Sequence, residues 1–100
     1  MEKFIREIKF SAHKNLSLCY LKTEQYKLCV RECDIILEGE PNNVKILYRI
    51  GMAYIKLGQL ALAEEYLKKG FMIDPQEKEI MKALEMIEGQ NASKKMKKVQ

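Results

Sequence analysis

The chain has 100 residues, of which 47% are hydrophobic and 32% charged, so it fits one globular domain and is not a disordered chain. Its net charge of +4 is mild, no apolar run reaches the roughly 18 residues of a membrane-spanning helix, and the first residues lack the apolar core of a signal peptide. We therefore expect a cytoplasmic protein without a membrane partner.

The first two predicted helices cover residues 1–22 and 25–37. Apolar residues of the first helix recur at helical spacing: Phe4, Ile5, Ile8, Ala12, Leu16, Cys19 and Tyr20. The second helix is expected to turn four residues towards the core: Leu28, Cys29, Ile36 and Leu37. Gly39 follows at a position suited to a left-handed helix cap.

The third predicted helix, about residues 44–57, has two faces of different chemistry. Its apolar stripe consists of Ile46, Leu47, Ile50, Ala53, Tyr54 and Leu57. Another face carries Lys45, Arg49, Met52 and Lys56 at spacings of three or four residues. Gly58 is the expected stop. A helix that packs on one side and presents cations on the other favours an anionic partner.

A fourth helix is predicted for residues 60–73, with Ala63, Leu67 and Met72 facing the core. A fifth, about 76–88, has Pro75 near its first turn. Its apolar stripe is Ile80, Ala83, Leu84 and Ile87, and its expected outer face is Lys78, Glu79, Lys82 and Glu85. Residues 89–100 are basic and polar, and we expect them to fray.

An internal repeat sets the architecture. Pro41 and Pro75 are 34 residues apart, and the same offset relates three further pairs: Leu16 to Ile50, Ser17 to Gly51, and Tyr20 to Tyr54. Paired helices with this period are typical of the tetratricopeptide repeat. The small residue of each pair would let the second helix approach closely. We predict an all-α tetratricopeptide repeat superhelix, with repeats at about 10–43 and 44–77 and a capping helix at about 76–88.

Two repeats and a cap fall short of the roughly three units that stable solenoids usually need. The first helix is therefore expected to pack against a preceding repeat or against another copy of the chain. Phe4, Ile5 and Ile8 would lie in that contact.

No enzyme motif is present. The sequence has no glycine-rich phosphate loop, no Gly-x-Ser-x-Gly and no histidine-containing metal motif, so we expect neither catalysis nor a cofactor. Cys29 and Cys33 are four residues apart without a second pair, which favours buried packing thiols over a metal site. His13 is expected on a helix surface or at a helix–helix contact. Four lysines near the C-terminus lack interleaved aromatic residues, which disfavours nucleic acid.

The candidate binding surface is the inner face of the curve formed by the first helix of each repeat. Asn15 and Arg49 are 34 residues apart and occupy equivalent positions. The whole candidate set is Asn15, Leu18 and Lys22 on one helix and Lys45, Arg49, Met52 and Lys56 on the other. Arginine forks, lysine charges and amide donors together suit a carboxylate ligand. For Lys22 and Lys56, a solvated surface role is an equal alternative.

Residues 15–22 and 45–58 resemble the second and third repeats of tetratricopeptide domains in chaperone cofactors, above all the large FK506-binding immunophilins. The resemblance implies a clamp for the acidic C-terminal peptide of the ninety-kilodalton heat-shock chaperone. Asn15, Lys45 and Arg49 correspond to three clamp residues. The Lys and Asn of the first family repeat have no counterpart, because that repeat is absent from the sequence. Lys14 and Leu18 cannot replace them, since an Asn would be needed at Leu18, so weak binding is expected.

The same resemblance implies that a prolyl isomerase domain would lie elsewhere in a longer protein. An alternative function is a tetratricopeptide scaffold that binds another protein through a different surface.

Overall fold

The computed structural model describes the backbone of residues 2–99 and the side chains of residues 10–90. Within that part the chain forms five helices: α1 (Glu2–Lys22), α2 (Tyr26–Gly39), α3 (Val44–Lys56), α4 (Leu60–Ile73) and α5 (Lys78–Val99). Each packs on the next, and α3 also contacts α1 and α5. The predicted arrangement of two stacked helical hairpins and a closing helix is confirmed. Across the described residues, none of the helices is long and apolar enough to cross a membrane.

The closing helix differs from its predicted bounds at both ends. It begins at Lys78, because a turn occupies the preceding residues: the Gln76 amide donates to Asp74 Oδ1 (3.3 Å) and the Glu77 amide to the Asp74 carbonyl (3.2 Å). Pro75 lies in this turn and not in the helix. The backbone then stays helical through Gly89 to Val99, where the sequence suggested a frayed tail. One exposed glycine costs a helix about 1 kcal/mol, which need not end it.

Two apolar clusters hold the helices together. The first joins α1, α2 and α3: Phe10, Cys29, Cys33, Ile36, Ile46, Ile50 and Ala53. The second joins α3, α4 and α5: Ile55, Ala63, Leu67, Ile80, Ala83 and Ile87. The predicted stripes of α3 and α5 are confirmed at most of their positions, and α3 contributes to both clusters.

The small residue of the repeat has the predicted packing role. A Cβ atom on Gly51 would lie 2.6 Å from Leu67 Cγ, so α3 and α4 approach too closely for a side chain there. Its equivalent in α1, Ser17, is fully buried. Nearby, the rings of Tyr54 and Tyr66 stack with centroids 5.7 Å apart and tie α3 to α4.

The apolar face of α1 is not its buried face, contrary to prediction. Ala12, Leu16 and Cys19 are exposed, whereas Phe10 and Ser17 are buried. Two polar residues between Phe10 and Ser17 have partners on other elements: His13 Nδ1 lies 2.5 Å from Glu32 Oε2 at the contact with α2, and Lys14 Nζ lies 3.1 Å from Glu40 Oε1. Phe4, Ile5 and Ile8 lie outside the described side chains.

Two other inward assignments are wrong. Met72 is 82% exposed, because it lies five residues after buried Leu67, or about 140° around the helix. The buried face of α4 continues to Gly70 instead, where a Cβ would meet Ile80 Cδ1 at 2.7 Å. Leu28 of α2 is 38% exposed, and Cys33 takes its place in the core.

The turns inside the two hairpins have the same backbone shape and different residues. Gly58 ends α3 with a φ of 78°, as expected, and its equivalent Glu24 has a φ of 62°. Gly39 is not a left-handed cap: among the described residues, only Glu24 and Gly58 have positive φ. Its lack of a Cβ makes room for the Phe10 ring, whose Cζ would lie 2.2 Å from such an atom.

Glu24 should therefore gain from becoming glycine. The left-handed region costs a side chain about 1–2 kcal/mol, and the greater freedom of unfolded glycine offsets part of that. We expect Glu24→Gly to raise the free energy of unfolding by about 0.5 kcal/mol, and the matched Gly58→Ala to lower it by about 1 kcal/mol. Urea denaturation followed by circular dichroism measures both. A destabilised Glu24→Gly protein would contradict the assignment.

Candidate functional site

A cavity of about 250 Å³ opens between α1, α3 and the start of α5. Its lining consists of Leu18 and Leu21 of α1, Val44, Lys45, Tyr48 and Arg49 of α3, Glu77 of the preceding turn and Glu79 of α5. The lining thus combines aliphatic side chains with two cations and two carboxylates. The cavity can therefore accommodate a ligand side chain or chain end that has an apolar part and a charged group.

Arg49 is held in place by α1. Its Nη1 donates to Ser17 Oγ (2.9 Å) and to the Lys14 carbonyl (3.2 Å), while Ser17 Oγ donates to the same carbonyl (2.8 Å). Among residues 10–90, Nε and Nη2 make no hydrogen bond, and together they form one edge of the guanidinium that can pair with a carboxylate. Ser17 fixes the orientation of the Arg49 side chain.

The start of α3 is fixed by a second polar group. Glu40 accepts from Asn43 Nδ2 (2.8 Å) and pairs with Lys14, and Asn43 Oδ1 caps α3 by accepting from the Ile46 amide (3.3 Å). The hydrogen bond from Asn43, with the Lys14 charge, holds the pKa of Glu40 below its usual value. This network sets where α3 begins, and therefore where Lys45 and Arg49 stand.

The structure brings together three of the predicted site residues. Lys45, Arg49 and Leu18 line the cavity. Asn15 is exposed on α1 and lies outside the lining, and so do Lys22 and Lys56. Met52 is half-buried against the second apolar cluster. Lys56 shares the face of Lys45 but lies about 16 Å further along α3, which puts it beyond the cavity.

Sequence reasoning missed the acidic part of the site. Glu77 belongs to the turn that was predicted as helix, and Glu79 was assigned to the outer face of α5. Both line the cavity with Tyr48. Burial, followed by the charges of Glu79 and Glu77, raises the pKa of Tyr48. The 34-residue offset makes Glu77 the repeat equivalent of Asn43, which directly precedes α3. This equivalence was the available signal that Glu77 lies before α5 and not within it.

Two buried thiols lie behind Arg49. Cys29 and Cys33 are fully buried and free, as predicted, whereas Cys19 is exposed. The interaction between the two neighbouring thiols lowers the pKa of Cys29 and raises that of Cys33, which burial raises further. Within the described residues no three His, Cys, Asp or Glu side chains are grouped so that they could hold a metal.

The sequence matches one family model and is similar to known proteins. A family model described as tetratricopeptide repeat matches residues 44–77. The human protein "FK506-binding protein-like" is 41% identical over 81 residues, which cover 79% of this chain and 23% of that protein. "Outer envelope protein 61" of Arabidopsis thaliana is 40% identical over 70 residues, 70% of this chain and 13% of the relative. The chain thus spans about a quarter or less of these relatives.

Solved structures show the same architecture. The C-terminal TPR-containing domain of a Plasmodium falciparum FK506-binding protein superposes with a TM-score of 0.83 at 28% identity, covering 91% of this chain and 60% of that one. The Hsp90 co-chaperone Cns1 from Saccharomyces cerevisiae gives a TM-score of 0.87 at 30% identity, covering 93% of this chain and 30% of Cns1.

Proposed function

Because this chain belongs to the tetratricopeptide-repeat family, we propose that it is a non-catalytic interaction module that binds the acidic C-terminal peptide of a heat-shock chaperone. The observation that carries the proposal is the pair of Lys45 and Arg49 at a cavity with an aliphatic floor. The similarity to an Hsp90 co-chaperone and to FK506-binding proteins supports the choice of partner. The chain would serve as the repeat part of a longer cytoplasmic FK506-binding co-chaperone, with any isomerase domain elsewhere.

The site would recognise the last residues of the chaperone peptide. Arg49 offers Nη2 and Nε as a fork to a carboxylate, and Lys45 adds a mobile charge. Asn15, at the equivalent repeat position on α1, would donate to the terminal carboxylate or to nearby backbone. Leu18, which lines the cavity, would contact an apolar side chain of the peptide, and Met52 would support α3 from the core side. Lys22 and Lys56 remain for acidic side chains further along.

The test compares two exposed lysines of α3. We expect Lys45→Ala to weaken binding of a Met-Glu-Glu-Val-Asp peptide roughly tenfold, because it removes a charge-assisted contact. Lys56→Ala removes the same charge from outside the cavity and should change affinity about twofold or less. Isothermal titration at low ionic strength measures both. Equal losses in the two variants would mean that net charge, and not a site, attracts the peptide.

We further propose that the exposed apolar face of α1 packs against a helix that does not belong to the five described above. Its exposed residues Ala12, Leu16 and Cys19 are the 34-residue equivalents of three buried residues of α3, which pack on α2: Ile46, Ile50 and Ala53. The same face of α5 is buried against α4. In a longer protein, this face of α1 would pack against a preceding repeat. When the chain is alone, it would pack against a second copy of the chain.

Self-association can be tested with Leu16, which is 41% exposed. We expect the chain to dimerise with rising concentration and Leu16→Glu to make it monomeric, because a charge would enter an apolar contact. Leu62→Glu changes a leucine of equal character on α4, 38% exposed, and should leave the dimer intact. Light scattering coupled to gel filtration distinguishes them. A stable monomer at every concentration would refute this proposal.

A further inference from the structure

Two carboxylates share the cavity with the cationic pair. Glu77 is half-buried in the turn before α5, and Glu79 is exposed in the first turn of that helix. Both line the cavity that Lys45 and Arg49 also line. The ion pairs within 4 Å among residues 10–90 involve none of these four side chains. Both signs of charge are therefore available to a ligand.

The backbone fixes where these carboxylates stand. The Glu77 amide donates to the Asp74 carbonyl (3.2 Å), and the Glu77 carbonyl accepts from the Met81 amide (3.3 Å) as α5 begins. Glu79 follows within the first helical turn. Tyr48 lines the same cavity, and its burial, with the charges of Glu79 and Glu77, raises the pKa of its phenol.

The interaction energy of an acidic ligand group depends on where in the cavity it lies. A carboxylate at Lys45 and Arg49 is attracted and receives the donors of Arg49. A second acidic side chain that entered the same cavity would approach Glu77 and Glu79, and like charges a few ångströms apart near a protein surface repel. A cation or a hydrogen-bond donor at that position would instead be attracted.

We propose that Glu77 and Glu79 determine specificity: the cavity selects chain termini in which the residue beside the terminal acid carries a cationic or hydrogen-donating side chain, and it discriminates against an acidic one. The inference rests on the proposed function, since it names the ligand class of the same site. A ligand side chain with an aliphatic part is also favoured, because Leu18, Leu21 and Val44 line the cavity. A lysine side chain combines both properties.

Three pentapeptides with a free C-terminal carboxylate test this. They are identical except for Lys, Gln or Glu next to the final Asp. We expect affinity for this chain to fall from Lys to Gln to Glu, by roughly tenfold overall. In Glu77→Gln/Glu79→Gln the three affinities should converge to within about twofold. Glu85→Gln, which removes an exposed charge of α5 outside the lining, should keep the full ratio.

A second variant distinguishes a change in specificity from a loss of folding. Glu79→Lys, at an exposed helix position, should reverse the preference towards the Glu peptide while circular dichroism stays unchanged. A Lys-to-Glu ratio that is flat in the wild type, or that survives Glu77→Gln/Glu79→Gln, overturns the inference and leaves carboxylate binding standing. Equal binding of the amidated Gln peptide, or binding of none of the three, overturns the proposed function and the inference together.

Discussion

Leu67→Ala is expected to lower the free energy of unfolding by about 3 kcal/mol, because a fully buried leucine leaves a cavity when it is truncated. Leu67 lies in the second apolar cluster, between α3 and α5. Met72→Ala is the matched control on the same helix: that side chain is 82% exposed, and its loss should cost less than about 0.5 kcal/mol. Urea denaturation followed by circular dichroism gives both values.

The contact between Leu67 and Gly51 can be isolated by a double-mutant cycle. Gly51→Ala forces a methyl group to within 2.6 Å of Leu67 Cγ and should cost about 1–3 kcal/mol. When Leu67 is already Ala, the same methyl enters free space, so the two costs should not add. Additive values would contradict the close approach of α3 and α4 at Gly51.

Arg49→Met should reduce both stability and binding. It removes charge-assisted hydrogen bonds to Ser17 Oγ and the Lys14 carbonyl, at a cost of about 2 kcal/mol in unfolding free energy. It should also weaken acidic-peptide binding more than tenfold, since the fork on the carboxylate is lost. Arg49→Lys keeps the charge without the planar fork and should recover only part of either property. Denaturation and titration on the same samples provide both measurements.

Ser17→Ala distinguishes orientation from charge. It keeps the small side chain that the buried position requires and removes one partner of Arg49. We expect about 1 kcal/mol of destabilisation and a severalfold loss of peptide affinity, with no further loss of affinity when Ser17→Ala is added to Arg49→Met. Independent effects of the two substitutions on affinity would show that Ser17 does not position Arg49.

The helices whose apolar stripe coincides with their buried face were predictable from sequence. In α3, Ile46, Leu47, Ile50 and Ala53 follow the helical period and are all buried. The 34-residue offset added the pairing of helices and the role of Gly51. The stripe follows from local spacing, and the pairing of helices follows from a 34-residue period that is typical of tetratricopeptide repeats, so neither prediction needed tertiary contacts.

The first helix was not predictable in this way. Its inward face includes Ser17 and paired polar residues, while Leu16 points away from the core. Hydrophobic periodicity cannot reveal a buried face whose polar groups are satisfied by partners on another helix. Leu16 and its neighbours instead follow the repeat and present a stacking face that has no partner among the described residues.

The cationic half of the site was predicted from helical spacing, whereas helical spacing alone did not reveal the acidic half. Lys45 and Arg49 lie four residues apart on one helix, so their shared face can be read from sequence. Glu77 and Glu79 reach the same cavity only because a turn delays the start of α5 until Lys78. That delay depends on the hydrogen bonds of Asp74 and is not visible in the hydrophobic periodicity, although the 34-residue offset that makes Glu77 equivalent to Asn43 does indicate it.

The proposal that this chain grips a peptide by its terminus is tested most directly by titrating one pentapeptide, Met-Glu-Glu-Val-Asp, in two forms. One form has a free C-terminal carboxylate and the other a C-terminal amide. The account predicts that amidation weakens binding by roughly tenfold or more, the value of one lost charge-assisted contact. Equal affinity for the free and the amidated peptide would contradict it.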